Sequence, residues 1–396
     1  MKILIADKMS KSAISALEAL GHQVTSNPDL KAEDIPAAIG DSEVLIVRST
    51  KVTADAIAAG KSLSLIIRAG AGVNTIDLAK ASECGIHVTN CPGKNTEAVA
   101  ELAIGLLIAA DRRIANATAE LRAGKWNKKE YGKAAGLKGR TLGIIGVGSI
   151  GKAVIRRALA LEMKVLAWSR SLTPEKAKDL GIEFAASPLD VAKAADAISL
   201  HVAAKPETKG MVNAEFLAVM KPGAILVNAA RGNIVDAAAL KAAIAEKAIR
   251  YAADVFEPEP AGGVAEFPDV ELAAAAAACT PHIGASTDQA SEAIAQEAVR
   301  IVKVFQETGT PPNVVNIRKK TPAVSNLVIR HFNKVGVIAG ALVILREAGV
   351  NIEEMENLVF EGGLAACCTL KLDQRPDDAT VAKIAASENV LSASLK

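Results

Sequence analysis

Several things are scarce or missing in this chain, and each absence narrows its function. Its 46 basic and 44 acidic residues leave a formal charge of only +2. That balance is too even for a stripe along a nucleic-acid backbone or for a polybasic anchor on a membrane surface. No uninterrupted apolar run reaches the roughly 18 residues that a membrane span needs. The first residues, MKILIADKMS, lack the sustained apolar stretch and small-residue cleavage site of a secretory signal and read as a first strand. The five cysteines, Cys84, Cys91, Cys279, Cys367 and Cys368, are an odd number without disulfide-framework spacing. Cys367 and Cys368 are neighbours in a strand-like run, so they point to opposite faces. There is no CxxC pair and no His/Cys cluster. These absences predict a reduced, cytoplasmic protein with no metal site, no nucleic-acid partner and no membrane partner.

What is present is a globular balance: half of the 396 residues are hydrophobic and 23% are charged. The length suffices for two or three domains. Strand-like and helix-like segments alternate from the start, as in KILIADK, SAISALEAL, HQVTS, EVLIVRS, ADAIAAG, LSLIIRAGAG and IHVTN. Such alternation predicts an α/β fold with a doubly wound, mainly parallel sheet. From Asn95 to Arg113 runs a long helical segment, apolar on most faces, as a helix buried between two domains would be. A second long helix spans Thr287 to Thr308 and stops at Gly309, with Pro311 and Pro312 just beyond.

Between those helices lies TLGIIGVGSIG. An apolar strand, Leu142 to Ile145, leads into Gly146, Gly148 and Gly151, and a helix begins near Ser149. A second strand, KVLAWS, follows. The first glycine permits a tight turn, the second lets backbone approach a pyrophosphate, and the third lets helix pack on strand. The free N–H groups of the helix start then face the phosphates. The nucleotide unit is therefore an insertion. Residues 1–92 and 282–312 form a discontinuous substrate-binding domain, and residues 93–281 form the dinucleotide-binding domain. Residues 322–396 read strand, helix, strand, strand, helix, strand, the order of a ferredoxin-like domain. The alanine-rich run from Glu271 to Cys279 reads as a short helix or loop filler.

Three polar residues follow strand patterns downstream of the glycine turn: Arg231 after ILVNAA, Glu259 in DVFEPEP and His282 in TPHIGAS. Ligands in open parallel sheets bind beyond the carboxyl ends of strands, where all three fall. A histidine has the near-neutral acid–base behaviour that hydride transfer requires. A carboxylate beside it stabilises the imidazolium, and an arginine holds a substrate carboxylate. Taken singly, Arg231 also suits a surface or capping arginine, Glu259 a solvated loop acid and His282 a satisfied core histidine. Their joint placement favours a site.

The motifs IIRAGAGVNTID, NCPGKNTEAVAELAIGLL, TLGIIGVGSIGKAV, NAARGNIVDAAAL, DVFEPEP and TPHIGAS occur in this order. In them the sequence resembles the D-isomer-specific 2-hydroxyacid dehydrogenases over almost its whole length. The resemblance implies a Rossmann nucleotide domain inserted in a flavodoxin-like substrate domain, followed by a ferredoxin-like ACT regulatory domain. It implies that His282 is the proton donor and acceptor, Glu259 its partner and Arg231 the group that binds the substrate carboxylate or carbonyl. Glu257 is a nearby competitor, but the family's interval from the DVF strand selects Glu259. The backbone of Ala71, Gly72 and Val73 should receive the substrate carboxylate. Arg48, with Ser49, and Lys128 match basic positions that hold a phosphate. Ser149 and Ile150 lie over the pyrophosphate, while Ala229, Ala230, Arg231 and Asp254 face the nicotinamide end. Val202, His282, Gly284 and Ala285 complete the cofactor surface. In the last domain His331, Asn333 and Asn351 match serine-binding positions, with strand-end and turn capping as the alternative.

The pattern breaks in three places. The acid expected at the end of the second strand of the nucleotide unit is replaced by Ser169, followed by Arg170. The cofactor is therefore NAD or NADP, since Arg170 suits a 2′-phosphate and also suits stacking on adenine. Ala203 and Ala204 stand where the family often has a proline-containing loop, and Val335 where the last domain often has proline. The resemblance implies a homodimer or homotetramer that oxidises 3-phosphoglycerate in the first step of L-serine biosynthesis, with L-serine as a possible effector. Glyoxylate or hydroxypyruvate reduction is the alternative within the superfamily. A nicotinamide-sensing, corepressor-like scaffold is the alternative of another class.

Overall fold

Three sheets organise the chain in the computed structural model, which describes residues 1–260 and 264–396. The first comprises β1 (Lys2–Ile5), β2 (Gln23–Ser26), β3 (Val44–Val47), β4 (Leu65–Arg68) and β5 (His87–Asn90). All neighbours are parallel, in the order β2-β1-β3-β4-β5. KILI, VLIV and LIIR are almost unbroken apolar runs because both faces of a parallel sheet are covered. Ile35, Ile39, Ile57 and Leu63 pack on one face. Leu17 covers the other, together with Ile294, Ala298, Ile301 and Val302 of the Asp288–Thr308 helix. That helix is capped by Thr287 and closed by Gly309 at φ 71°, and it brings the chain back to the first sheet.

The second sheet comprises β6 (Thr141–Ile145), β7 (Lys164–Trp168), β8 (Glu183–Phe184), β9 (Ala197–Leu200), β10 (Ile225–Asn228), β11 (Arg250–Ala253) and β12 (Ala278–Cys279). It too is parallel, in the order β12-β11-β10-β9-β6-β7-β8. The winding reverses between β6 and β9, and that switch point is where a doubly wound sheet opens a crevice. The Thr96–Arg112 helix places Ala100, Ala103, Leu106, Leu107 and Ala110 in the core on one face of this sheet. Its acids Glu97 and Glu101 meet Arg157 of the neighbouring Ser149–Ala160 helix at 2.7 and 3.0 Å. The apolar breadth read in its sequence therefore serves the second sheet. The alanine-rich run forms the Val270–Ala275 helix and then the edge strand β12.

The third sheet comprises β13 (Ser325–Phe332), β14 (Ile352–Val359), β15 (Ala365–Leu372) and β16 (Val390–Leu395), antiparallel in the order β14-β15-β13-β16. β15 alternates between half-buried and buried positions, the period of a sheet covered on one face. The Val337–Glu347 and Asp378–Ala385 helices supply that cover. Cys368 is buried and Cys367 is not, as their opposite facing requires, and the five cysteines are free. The chain divides into two compact units, Met1–Asn316 with the first two sheets and Ile317–Lys396 with the third. No described helix is long and apolar enough to cross a membrane.

Candidate active site

The glycine turn is shaped by contacts that leave no room for side chains. Gly146 has φ +102°, and a Cβ there would lie 2.6 Å from the His201 carbonyl carbon. A Cβ on Gly151 would lie 2.0 Å from the Gly146 carbonyl oxygen. Gly148 faces open space, so its smallness serves something that approaches from outside. The Ser149–Ala160 helix begins without a side-chain cap. Its first N–H groups, from Ser149 through Gly151, are therefore left for an anion. A dinucleotide pyrophosphate fits this cradle.

The strand ends beside the cradle carry the other residues assigned to the cofactor. The Gly146 N–H donates to the Trp168 carbonyl at 2.9 Å, which sets Ser169 and Arg170 next to the turn. The His201 N–H donates to the Ile145 carbonyl at 2.8 Å, which sets Val202 on the other side. After β10, the buried Asn228 builds a sharp corner. Its Nδ2 donates to the Arg231 carbonyl at 3.0 Å, and its Oδ1 accepts from the Ala230 N–H at 3.1 Å. Ala229, Ala230 and Arg231 form that corner.

Asp254, after β11, is 2% exposed and organises the next loop. Its Oδ1 accepts from the Thr280 hydroxyl at 2.6 Å and the Ile283 N–H at 2.8 Å, and its Oδ2 from the Gly284 N–H at 2.8 Å. The His282 N–H donates to the Asp254 carbonyl at 2.7 Å, with His282 in the left-handed region at φ +53°. Gly284 is needed because a Cβ would stand 2.8 Å from Asp254 Oδ2. Asp254, which the sequence put at the nicotinamide end, thus holds the loop that carries His282, Gly284 and Ala285.

On that loop His282 Nδ1 lies 2.7 Å from Glu259 Oε2, and Glu259 Oε1 accepts from the Phe256 N–H at 3.3 Å. Burial works to raise the Glu259 pKa. The hydrogen bond and charge of His282, the Phe256 N–H and the Arg231 charge outweigh it and hold the carboxyl below its ordinary range. An ionised Glu259 fixes the Nδ1 proton on its own side and leaves Nε2 free.

The first sheet supplies the opposing loops. Asp7 Oδ2 accepts the N–H groups of Arg48 (2.6 Å), Ser49 (3.1 Å) and Thr50 (3.1 Å), which builds the turn after β3. After β4, the Asn90 amide donates to the Ala71 carbonyl at 2.6 Å and holds the Ala71–Val73 loop. A Cβ on Gly72 would lie 2.6 Å from Arg231 Nη2, so the arginine of the second sheet rests on a loop of the first.

The sequence reading missed Arg68, which ends β4. Its guanidinium fills the space that a Cβ on Gly70 would need. Burial lowers its pKa first, and the charges of Arg231 and Arg48 lower it further, against Asp7 and Cys91. Its buried Nε has no hydrogen-bond partner. Three arginines at the ends of β3, β4 and β10 thus converge, with Asp7 and Glu259 as the carboxylates beside them, an arrangement that favours an anion. The available signal was a lone cation closing an apolar strand, LIIR, at its carboxyl end.

Other assigned residues lie apart. Lys128 sits in the short Lys128–Tyr131 helix, tied through Glu130 to Arg113 at 2.6 Å. Val99 and Leu102, near the start of the Thr96–Arg112 helix, approach Gly284. The effector trio is divided. His331 bonds Asn357 Oδ1 at 3.1 Å, and Asn333 donates to the Gly363 carbonyl at 3.0 Å. Asn351 lies beyond the opposite end of the third sheet, where Ile352 pairs with Leu372 and Leu372 with Ser325. About 20 Å of strand separates the two ends. These three residues do not form one pocket within the chain, because parallel placement of β13 and β14 sets their starts at the same end.

Known proteins resemble this chain in sequence and in fold. Residues 104–284 match the model of the D-isomer specific 2-hydroxyacid dehydrogenase, NAD binding domain. A D-3-phosphoglycerate dehydrogenase of Methanocaldococcus jannaschii is 40% identical over 80% of this chain and 60% of its own length. A hydroxypyruvate reductase of Thermotoga maritima is 42% identical over 78% of this chain and 98% of its own length. The crystal structure of the TT0316 protein from Thermus thermophilus superposes with a TM-score of 0.71 and 34% identity, over 80% of this chain and all of that one. The chain spans about three fifths of the length of the D-3-phosphoglycerate dehydrogenase relatives it matches.

Proposed function

The chain belongs to the D-isomer specific 2-hydroxyacid dehydrogenases, and on that premise we propose that it transfers a hydride between a nicotinamide cofactor and C2 of a D-2-hydroxy acid, with 3-phosphoglycerate as that acid. The observation that carries the reading is the 2.7 Å His282–Glu259 pair beside an arginine that rests on Gly72. A nicotinamide dinucleotide, when bound along the glycine turn, supplies the hydride acceptor. His282 Nε2 takes the C2 hydroxyl proton, and Glu259 stabilises the imidazolium as it forms. Arg231 neutralises the substrate carboxylate, and the Ala71–Val73 N–H groups orient it. Arg68 and Arg48 hold the distal phosphate, for which a carboxylate alone gives no need. This is the first step of L-serine synthesis, and the free, exposed Cys84 and Cys279 suit a reducing cytoplasm.

The serine response and the homo-oligomer belong to the same reading. β14 is an edge strand with Met355, Leu358 and Val359 exposed, a template for pairing with a second copy. Antiparallel pairing of two such edges brings the Asn351 end of one copy beside the His331 end of the other. Hydroxypyruvate or glyoxylate reduction is a second reading, favoured by the nearly full-length match to a hydroxypyruvate reductase.

The test is nicotinamide oxidation followed with 3-phosphohydroxypyruvate, hydroxypyruvate and glyoxylate. The expected outcome is preference for the phosphorylated acid, with Arg68→Met raising its KM about tenfold or more and leaving hydroxypyruvate nearly unaffected. His282→Asn should lower kcat by about 10²- to 10⁴-fold. Preference for the unphosphorylated acids selects the second reading. Tight cofactor binding with no turnover of any of them selects a sensing scaffold.

A further inference from the structure

The second strand of a dinucleotide unit ordinarily ends on an acid that accepts from the adenosine ribose. Here β7 ends at Trp168 and continues into Ser169 and Arg170. This turn collects positive charge, because the Lys176 ammonium donates to the Ser171 carbonyl at 3.0 Å beside Arg170. Of the acids nearby, Glu175 is engaged with its own helix start and with the Thr173 hydroxyl. Glu207 is the acid that reaches Arg170, at 3.4 Å.

Glu207 arrives from the other side of the glycine turn. It lies in the Pro206–Thr208 turn that follows β9. Two bonds fix that turn: the Lys205 N–H donates to the Thr208 hydroxyl at 2.9 Å, and the hydroxyl donates to the Ala203 carbonyl at 2.7 Å. The Arg170–Glu207 pair therefore spans the crevice mouth between the ends of β7 and β9. Both side chains are about two-thirds exposed, so the pair contributes little to stability and opens easily.

On the reading of this crevice as a nicotinamide-dinucleotide site, we infer that Glu207 is a cofactor-specificity residue: it is the counter-charge of Arg170, and a 2′-phosphate on the cofactor takes its place in that pair. Arg170 attracts the 2′-phosphate, while Glu207 occupies Arg170 and repels the phosphate. Discrimination therefore depends on their balance, not on the residue at position 169 alone. With Glu207 present the two cofactors bind with similar affinity. Its removal tips the balance toward the phosphorylated one.

The experiment is calorimetric titration of the full chain with NADH, NADPH and adenosine 2′,5′-bisphosphate, for wild type, Glu207→Gln and Arg170→Gln. Glu207→Gln should shift the NADPH-to-NADH ratio of dissociation constants about three- to fivefold toward NADPH, with the bisphosphate tightening in parallel. Arg170→Gln should shift it the other way, and added salt should shrink both differences. A ratio that Glu207→Gln leaves unchanged, or moves toward NADH, overturns the assignment. A wild-type chain that binds neither NADH nor NADPH removes the dinucleotide reading itself, and the proposal falls with it.

Discussion

Two histidines that follow strands of the same sheet show how little of a residue's role is set by its type. His282 is 45% exposed at its side chain and paired with an ionised carboxylate, so it can exchange a proton with a ligand. His201 retains some contact with solvent as a residue, yet its ring nitrogens are enclosed. Nε2 bonds the Ser199 hydroxyl at 2.8 Å, and Nδ1 is buried without a partner. Burial pushes the His201 pKa from 6.5 down to about 4. Below pH 6.5 the unfolded chain takes up a proton that the folded chain refuses. The stability tied to His201 is therefore complete above pH 6.5 and is lost as pH falls toward 4. Replacing His201 with Gln should flatten the fall of unfolding free energy over that window, by on the order of 2 kcal/mol at its acid end. Urea unfolding at a series of pH values measures it, and parallel slopes for variant and wild type would contradict the enclosure of the ring.

At the scale of elements, the loops at the carboxyl ends of the strands are held by short polar side chains, Asn228 and Asp254 buried and Asp7 half-buried. Asp7 gathers three N–H groups after β3, Asn228 closes the corner after β10, and Asp254 gathers a hydroxyl and two N–H groups after β11. Each is a short acid or amide placed where a strand ends and the backbone needs an acceptor. Asp254→Asn keeps the size but brings an NH₂ group where the Gly284 N–H or the Thr280 hydroxyl needs an acceptor. We expect unfolding free energy to fall by about 1–3 kcal/mol. We also expect kcat to fall more than KM rises, since His282 moves while Arg231 and the Ala71–Val73 loop stay. An unchanged kcat would show that Asp254 only stabilises the fold.

At the scale of the whole molecule, the two units have separate cores. Leu327, Ile329, Leu345, Leu370 and Ile384 form the core of the third sheet, and the four cores of the first two sheets lie within Met1–Asn316. A chain cut after Asn316 should therefore fold, bind NADH and turn over substrate, because Arg48, Arg68 and Arg231, the His282–Glu259 pair and the glycine turn are retained. It should lose any response to L-serine. Circular dichroism, calorimetry and activity with and without serine check this. A truncated chain that folds and is still inhibited by serine would remove the regulatory reading of the last unit.

The glycine spacing, the unbroken apolar strands and the Gly309 stop are local patterns, and from them the parallel α/β fold and the dinucleotide turn were legible in the sequence. The ferredoxin-like order of the last unit was legible for the same reason, since periodicity records how each segment meets its core. The family motifs carried Arg231, Glu259 and His282, residues that follow three different strands. Local pattern could not give distances between residues that are far apart in sequence. Arg68 escaped notice because its role depends on Arg48 and Arg231 arriving from β3 and β10. The division of His331 from Asn351 follows from the relative direction of two strands. Glu207 reaches Arg170 only because β6 lies between β7 and β9. The sequence by itself determined which segments pair and which chemical groups are available. The tertiary structure decided which of those groups meet, because the repulsion among three arginines and the bond between His282 and Glu259 exist only once the strand ends are brought together.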